Sequence, residues 1–167
     1  RRAAKRQSAG APALLSPAES EPARLTSAEE DLLLVVLNHD ALATTIAQHT
    51  PPEWIDTQTT AGRLLDRLLA ALREQVIENA RQFDGLVEDE SERAFLMDKY
   101  ALPERFDEPQ AAAAQAFEAL QKTFLRAQRA LLENKLSHTT DFNEQKQLFD
   151  ELLKIRSQIA RPAPLFS

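Results

Sequence analysis

The chain has 167 residues, 43% of them hydrophobic, and a formal net charge of −6. It contains no Cys, which excludes a disulfide framework and a thiolate metal site, and no apolar run approaches the roughly 18 residues of a membrane span. The interior is rich in Leu, Ala, Glu and Gln and shows no alternation with period two. We therefore predict an all-α fold: a multi-helix bundle followed by a long helix and a C-terminal antiparallel helical hairpin.

The N-terminal residues 1–24 mix Ala, Pro, Ser and charged side chains and predict a flexible linker, because they cannot bury enough surface to offset chain entropy. The first residue is Arg rather than Met, so we expect a piece of a longer protein. Five basic and two acidic side chains lie in residues 1–25, which leaves an acidic remainder. That balance argues against duplex nucleic acid as the main ligand, although the basic start can touch phosphates.

Two overlapping capping boxes, starting at Thr26 and Ser27, open the apolar run 32–37. Such a run suits a buried strand or a buried helix, and the caps favour a helix at the centre of a bundle. Asp40 then caps a short second helix over 41–48. A brief helix follows at Pro51 and Pro52, and Trp54 is expected to anchor it to the core.

A third major helix is predicted from Thr59 or Thr60 to about residue 83, because apolar side chains recur there at helical spacing. These side chains are Leu65, Leu68, Leu69, Leu72, Val76, Ala80 and Phe83. Another helix is predicted over 88–101. The acidic side chains at its start are open to two interpretations, a general acid–base pair or complements to the helix dipole, and the second is simpler. They are Glu88, Asp89, Glu90 and Glu92.

The long helix is predicted over 110–136, with one apolar seam at spacings of four and three. The seam consists of Ala113, Phe117, Leu120, Phe124, Ala127 and Leu131. Asp141 is a candidate N-cap for a second helix, and the short polar connection before it implies an antiparallel hairpin. We assign residues 25–125 to the bundle, 126–160 to the hairpin and 161–167 to a disordered tail, with low local stability expected near residues 126–128.

The sequence shows no constellation of residues for catalysis, and we expect neither a metal nor a cofactor. His39 and His49 are ten residues apart, which does not place them on one helical face, and HExxH is absent. The three Gly are scattered, so no phosphate-binding loop is formed, and no Ser-centred nucleophile elbow occurs.

Two surfaces are candidates for binding. Lys122, Arg126 and Arg129 share one helical face, which is either a solvated face or a basic pocket for an acidic peptide tail. Near the far end of the hairpin lie more apolar side chains than the hairpin needs to close, so those left outside predict a helix-docking surface. They are Leu132, Leu136, Phe142, Phe149 and Leu153.

The order of these parts resembles the C-terminal helicase-binding domain of a bacterial DnaG-type DNA primase. The resemblance covers about residues 25–160 and rests on three stretches: SAEEDLLLVVLNHDALA, the Pro-Pro-Glu-Trp segment and the hairpin LENKLSHTTDFNEQKQLFDELLKIRSQI. Within the first, the pattern E-x-x-L-L-x-x-x-L-x-H-x-x-L runs from Glu29 through Leu42.

The resemblance implies a non-catalytic, cytoplasmic interaction domain that docks on the DnaB-type replicative helicase and recruits primase to the fork for primer synthesis. The RNA-synthesising and zinc-binding parts of such a primase lie upstream of this domain. The implied helicase-binding residues are those at the hairpin tip: Leu132, Leu136, Phe142, Lys146, Phe149 and Leu153. In some members the domain also holds the acidic C-terminal tail of single-stranded DNA-binding protein, for which Lys122, Arg126 and Arg129 are the local candidates. Neither direct nucleic-acid binding nor a membrane is implied.

A second hypothesis is a self-associating helical domain related to the N-terminal domain of the replicative helicase, whose helical fold is similar. In that protein the chain continues into a linker and an ATPase.

Overall fold

The fold consists of helices throughout the part of the chain that the computed structural model describes, residues 27–101 and 105–166. They are α1 Ala28–Asn38, α2 Asp40–His49, α3 Thr60–Arg73, α4 Glu90–Tyr100, α5 Pro109–His138 and α6 Phe142–Ala160, with short 3-10 helices at Pro52–Trp54 and Ala80–Leu86. These residues contain no strand, so the predicted all-α class is confirmed. The predicted linker at 1–24 lies outside them. None of the described helices combines the length and the apolar character needed to cross a bilayer.

The central element of the bundle is α1. The Ser27 hydroxyl oxygen accepts a hydrogen bond from the Glu30 amide at 3.1 Å, which confirms the predicted N-cap. All of residues 32–37 are buried, because α1 is enclosed by α2, α3, α5 and the 3-10 helix Ala80–Leu86. A helix surrounded in this way needs apolar side chains on every face, which is why its sequence alone also suited a buried strand.

The predicted third helix is too long, because α3 ends at Arg73 rather than near residue 83. Gln75 adopts a left-handed conformation with φ 57°. The Val76 amide donates to the Ala71 carbonyl at 2.9 Å and the Gln75 amide to the Leu72 carbonyl at 3.3 Å, the two bonds of a Schellman motif. The apolar spacing continues past this turn only by coincidence, since the buried Ala80 and Phe83 belong to the next 3-10 helix.

The helix α4 is fastened to the bundle by charged side chains as well as by buried Leu96. Its N-cap is Asp89, whose Oδ1 accepts from the Glu92 amide at 3.0 Å, as the helix-dipole interpretation of the acidic cluster requires. Glu92 itself is buried and accepts hydrogen bonds from Arg63 Nε at 3.0 Å and from Arg67. A buried carboxylate with these partners ties α3 to α4.

The long helix α5 joins the bundle to the hairpin without interruption. Its first half turns Ala113, Phe117 and Leu120 into the core, as the predicted seam requires. The Trp54 ring lies 5.2 Å from the Phe117 ring and 6.4 Å from the Phe124 ring, so the predicted aromatic anchor lies where the bundle ends. Beyond this point the seam leaves the core: Ala127 is exposed and Leu131 is 60% exposed, so the prediction is wrong for these last two residues of the seam.

The predicted disordered tail is also wrong for residues 161–166, while Ser167 lies outside the described residues. Leu165 is only 4% exposed and belongs to the core of the bundle, and Phe166 packs against that core. Pro162 and Pro164 prevent the helix from continuing, but an extended chain can still bury an apolar side chain.

Candidate interaction surface

The tip of the hairpin is held by its own hydrogen bonds. Asp141 caps α6 by accepting from the Asn143 amide at 3.0 Å, which confirms the predicted N-cap. The Gln145 side chain donates to the Thr139 carbonyl at 2.7 Å, and the Thr139 hydroxyl donates to the Lys135 carbonyl at 2.8 Å. These bonds fix where α6 begins and so fix the position of Phe142 in its first turn.

The inner side of the hairpin is a small apolar seam between α5 and α6. Leu148 and Leu152 on α6 and Leu125 on α5 are buried, although none of them belongs to the core cluster of the bundle. Leu132 and Leu136 are half-buried, and their spacing puts them on the same side of α5 as Leu125. These two predicted docking residues therefore serve mainly to close the hairpin.

One flank of α6, next to the buried line of Leu148 and Leu152, carries an apolar stripe, which we define as Phe142, Phe149 and Leu153. These side chains are 75%, 52% and 48% exposed. Spacings of seven and four residues place them along one side of the helix. The predicted Lys146 is exposed one turn after Phe142. Since α6 packs chiefly on α5, this stripe has no neighbouring helix to cover it in the described residues.

The basic group, defined as Lys122, Arg126 and Arg129, is already partly paired along its own helix. Lys122 binds Glu118, and Arg129 Nε lies 3.6 Å from Glu133 Oε1. Arg126 is exposed. Surface pairs at this spacing contribute only about 0.3–0.5 kcal/mol, so the basic side chains exchange partners easily.

An ion pair between the two helices shows which side of the hairpin the basic group occupies. Arg156 Nη2 on α6 lies 3.7 Å from Glu133 Oε1, the same oxygen that faces Arg129. Arg156 follows Phe149 by seven residues and shares its side of α6. The apolar stripe and the basic group therefore lie on the same side of the hairpin.

Sequence reasoning missed the exposure of Leu131. It follows Phe117 and Phe124 at spacings of seven, so it points in the direction of the bundle but lies beyond the bundle's end. Helix length could have predicted this exposure, because α5 has 30 residues and extends well past the bundle helices α2 and α3, which have 10 and 14 residues.

The described residues do not gather three or more metal-ligating side chains at one place. Two of the histidines bond within their own helices: His49 Nδ1 lies 2.9 Å from the Thr45 carbonyl oxygen, and His138 Nδ1 lies 2.8 Å from that of Asn134.

Comparisons of the chain with protein-family models, with curated proteins and with solved structures gave no match.

Proposed function

We propose that the chain is a non-catalytic interaction domain of a DNA primase that docks on the replicative DNA helicase and recruits primase to the replication fork for primer synthesis. The resemblance of the opening helix and the hairpin to the DnaG-type domain supplies the identity of the partner. The observation that carries the proposal is the apolar stripe on α6, in which three large apolar side chains lie exposed along one side of a single helix.

The size of the stripe predicts the strength of binding. A Phe side chain presents roughly 200 Å², so Phe142 and Phe149 together leave about 250 Å² of aromatic surface to bury. That is small beside the roughly 800 Å² per partner of a stable interface. We expect weak binding by one copy and stronger binding when several copies occupy one helicase ring.

The charge on the side of the hairpin that carries the apolar stripe predicts what kind of helicase surface it contacts. The basic group lies on the same side of the hairpin as the apolar stripe, and Lys146 is exposed one turn after Phe142, which favours an acidic, apolar helical surface on the helicase. Because exposed charges are screened by salt, we expect affinity to fall as ionic strength rises. An acidic peptide tail, such as that of single-stranded DNA-binding protein, is a second proposed ligand. It must displace Glu118 and Glu133 from Lys122 and Arg129.

The experiment is a fluorescence-anisotropy titration of the labelled chain against its cognate replicative helicase. The test variant replaces the whole stripe, F142S/F149S/L153S. The matched control replaces three exposed polar residues on another side of α6, N143S/Q147S/Q158S. We expect saturable binding by the parent and the control, and none by the stripe variant, with helical circular dichroism retained in all three.

Two results contradict the proposal. If the folded parent chain does not bind the helicase, the docking proposal is wrong. If the stripe variant still binds, the apolar stripe is not the docking site. Sedimentation of the chain at tens of micromolar then tests the self-association hypothesis. A dimer that the stripe variant dissociates supports a second copy of this chain as the partner.

A further inference from the structure

The segment after α6 has a role that the docking proposal does not use. Arg161 closes the helix by donating its amide to the Ser157 carbonyl at 3.0 Å. The chain then runs along the first turns of α5, where Ala114 and Glu118 border the same shallow cavity as residues 162–166. Leu165 of this segment is buried in the core of the bundle.

This insertion differs in kind from the packing of α6. The buried residues of α6, Leu148 and Leu152, contact the hairpin seam and lie outside the core cluster of the bundle. Leu165 lies inside that cluster. Residues 161–166 are therefore a second attachment of the hairpin to the bundle, in addition to the continuous helix α5.

The attachment depends on side chains rather than on the backbone. Pro162 and Pro164 have no amide hydrogen to donate, and none of the backbone hydrogen bonds found outside the helices of the described chain involves residues 162–166. Apolar burial of Leu165, with Phe166 packed beside it, carries the contact. A short segment held in this way opens at lower free energy than a helix of the core.

We propose that residues 161–166 form a releasable latch that holds the C-terminal end of α6 on the bundle. With the latch closed, α6 is fixed at both ends, by the capped turn at Asp141 and by Leu165. With the latch open, the last turns of α6 keep only their contacts with α5. A ligand that takes up Leu165 and Phe166 would remove this attachment of α6 to the bundle. The proposal is independent of helicase docking, since it concerns the other end of the hairpin.

The test is amide hydrogen exchange of the 167-residue chain and its L165A variant, resolved by peptide. Truncating a buried Leu raises the population of the open state about thirtyfold or more. We expect that acceleration in residues 152–160, with little change in residues 32–37 of α1. The matched control is A163S, an exposed position in the same segment, which should change neither region.

Two outcomes overturn the latch. Equal acceleration in α1 and α6 makes Leu165 an ordinary core residue whose loss weakens the whole bundle. Unchanged exchange in residues 152–160 shows that the contact contributes nothing to holding α6. If L165A does not fold, L165V removes a single methylene group. The same contrast between α6 and α1 is then expected at smaller amplitude.

Discussion

The strongest test of the hairpin compares two apolar residues of α6 with opposite environments, Phe142 and Leu148. Phe142 is 75% exposed, so about 150 Å² of its roughly 200 Å² is available to a partner. At about 25 cal/mol per Å² its burial is worth at most about 4 kcal/mol. Ordering costs on binding reduce that value, and we expect F142A to lose about 2 kcal/mol of affinity, or about thirtyfold in Kd.

For the free energy of unfolding we expect the opposite order, with a larger loss for L148A than for F142A. Phe142 buries only about 50 Å² in the free chain, so F142A should lower the free energy of unfolding by about 1 kcal/mol or less. Leu148 is buried in the hairpin seam, and L148A should cost about 2–5 kcal/mol because it also leaves a cavity.

Anisotropy titration against the helicase gives the change in Kd, and urea denaturation gives the change in stability. If F142A binds as tightly as the parent chain, Phe142 is not a docking residue. If F142A destabilises the fold as much as L148A, Phe142 is a structural residue of the hairpin.

Three further predictions concern the bundle. G62A should cost more than 3 kcal/mol or prevent folding, because a Cβ at this position would lie 1.9 Å from the Asp56 carbonyl oxygen; urea denaturation measures the loss, and a stability like that of the parent would contradict it. E92Q should lower the free energy of unfolding by about 1–2 kcal/mol, because it removes a buried charged acceptor whose arginine partners are half-exposed and screened by solvent. If the ion pair is the cause, R63Q should destabilise the E92Q variant less than it destabilises the parent chain. Burial, followed by the nearby Asp84 carboxylate, raises the pKa of Tyr100 above its usual 10.0. The folded chain thus keeps this proton longer than the unfolded chain. Stability should be insensitive to Tyr100 below pH 10.0 and fall as pH rises above it. Y100F should remove that part of the alkaline slope in denaturation curves.

Local signals predicted where two of the helices begin, but the predicted cap at Asp40 is wrong, because Asp40 is the first residue of α2 and the N-cap is His39, which makes no side-chain capping bond. Ser27 and Asp141 both accept amide hydrogen bonds as their positions in the sequence indicated, because an N-cap depends on a few neighbouring residues. The end of α3 gave no such signal. Gln75 occupies the left-handed position at which Gly is usual, and tertiary burial of Ile77 and Ala80 holds the chain there.

The division of apolar residues between core and surface was harder to predict, since it depends on where neighbouring elements end. Leu131 and Leu132 are adjacent and chemically identical, yet Leu131 is exposed and Leu132 is half-buried against the hairpin. Periodicity shows that they occupy different sides of α5 but not which side α6 covers. The same lack of tertiary information hid Leu165, because the two prolines that precede it, Pro162 and Pro164, suggested a disordered tail.

The arrangement of α5 explains how one small domain can present a surface at a distance from its core. Its first half faces the bundle through Phe117 and Leu120, and its second half faces α6 through Leu125. The two seams are turned relative to each other around one unbroken helix of 30 residues, about 45 Å long. The bundle fixes the helix, and the helix fixes the hairpin. A two-helix hairpin can bury only one side of each member, so its remaining apolar side chains stay available to a partner at a position that the bundle determines.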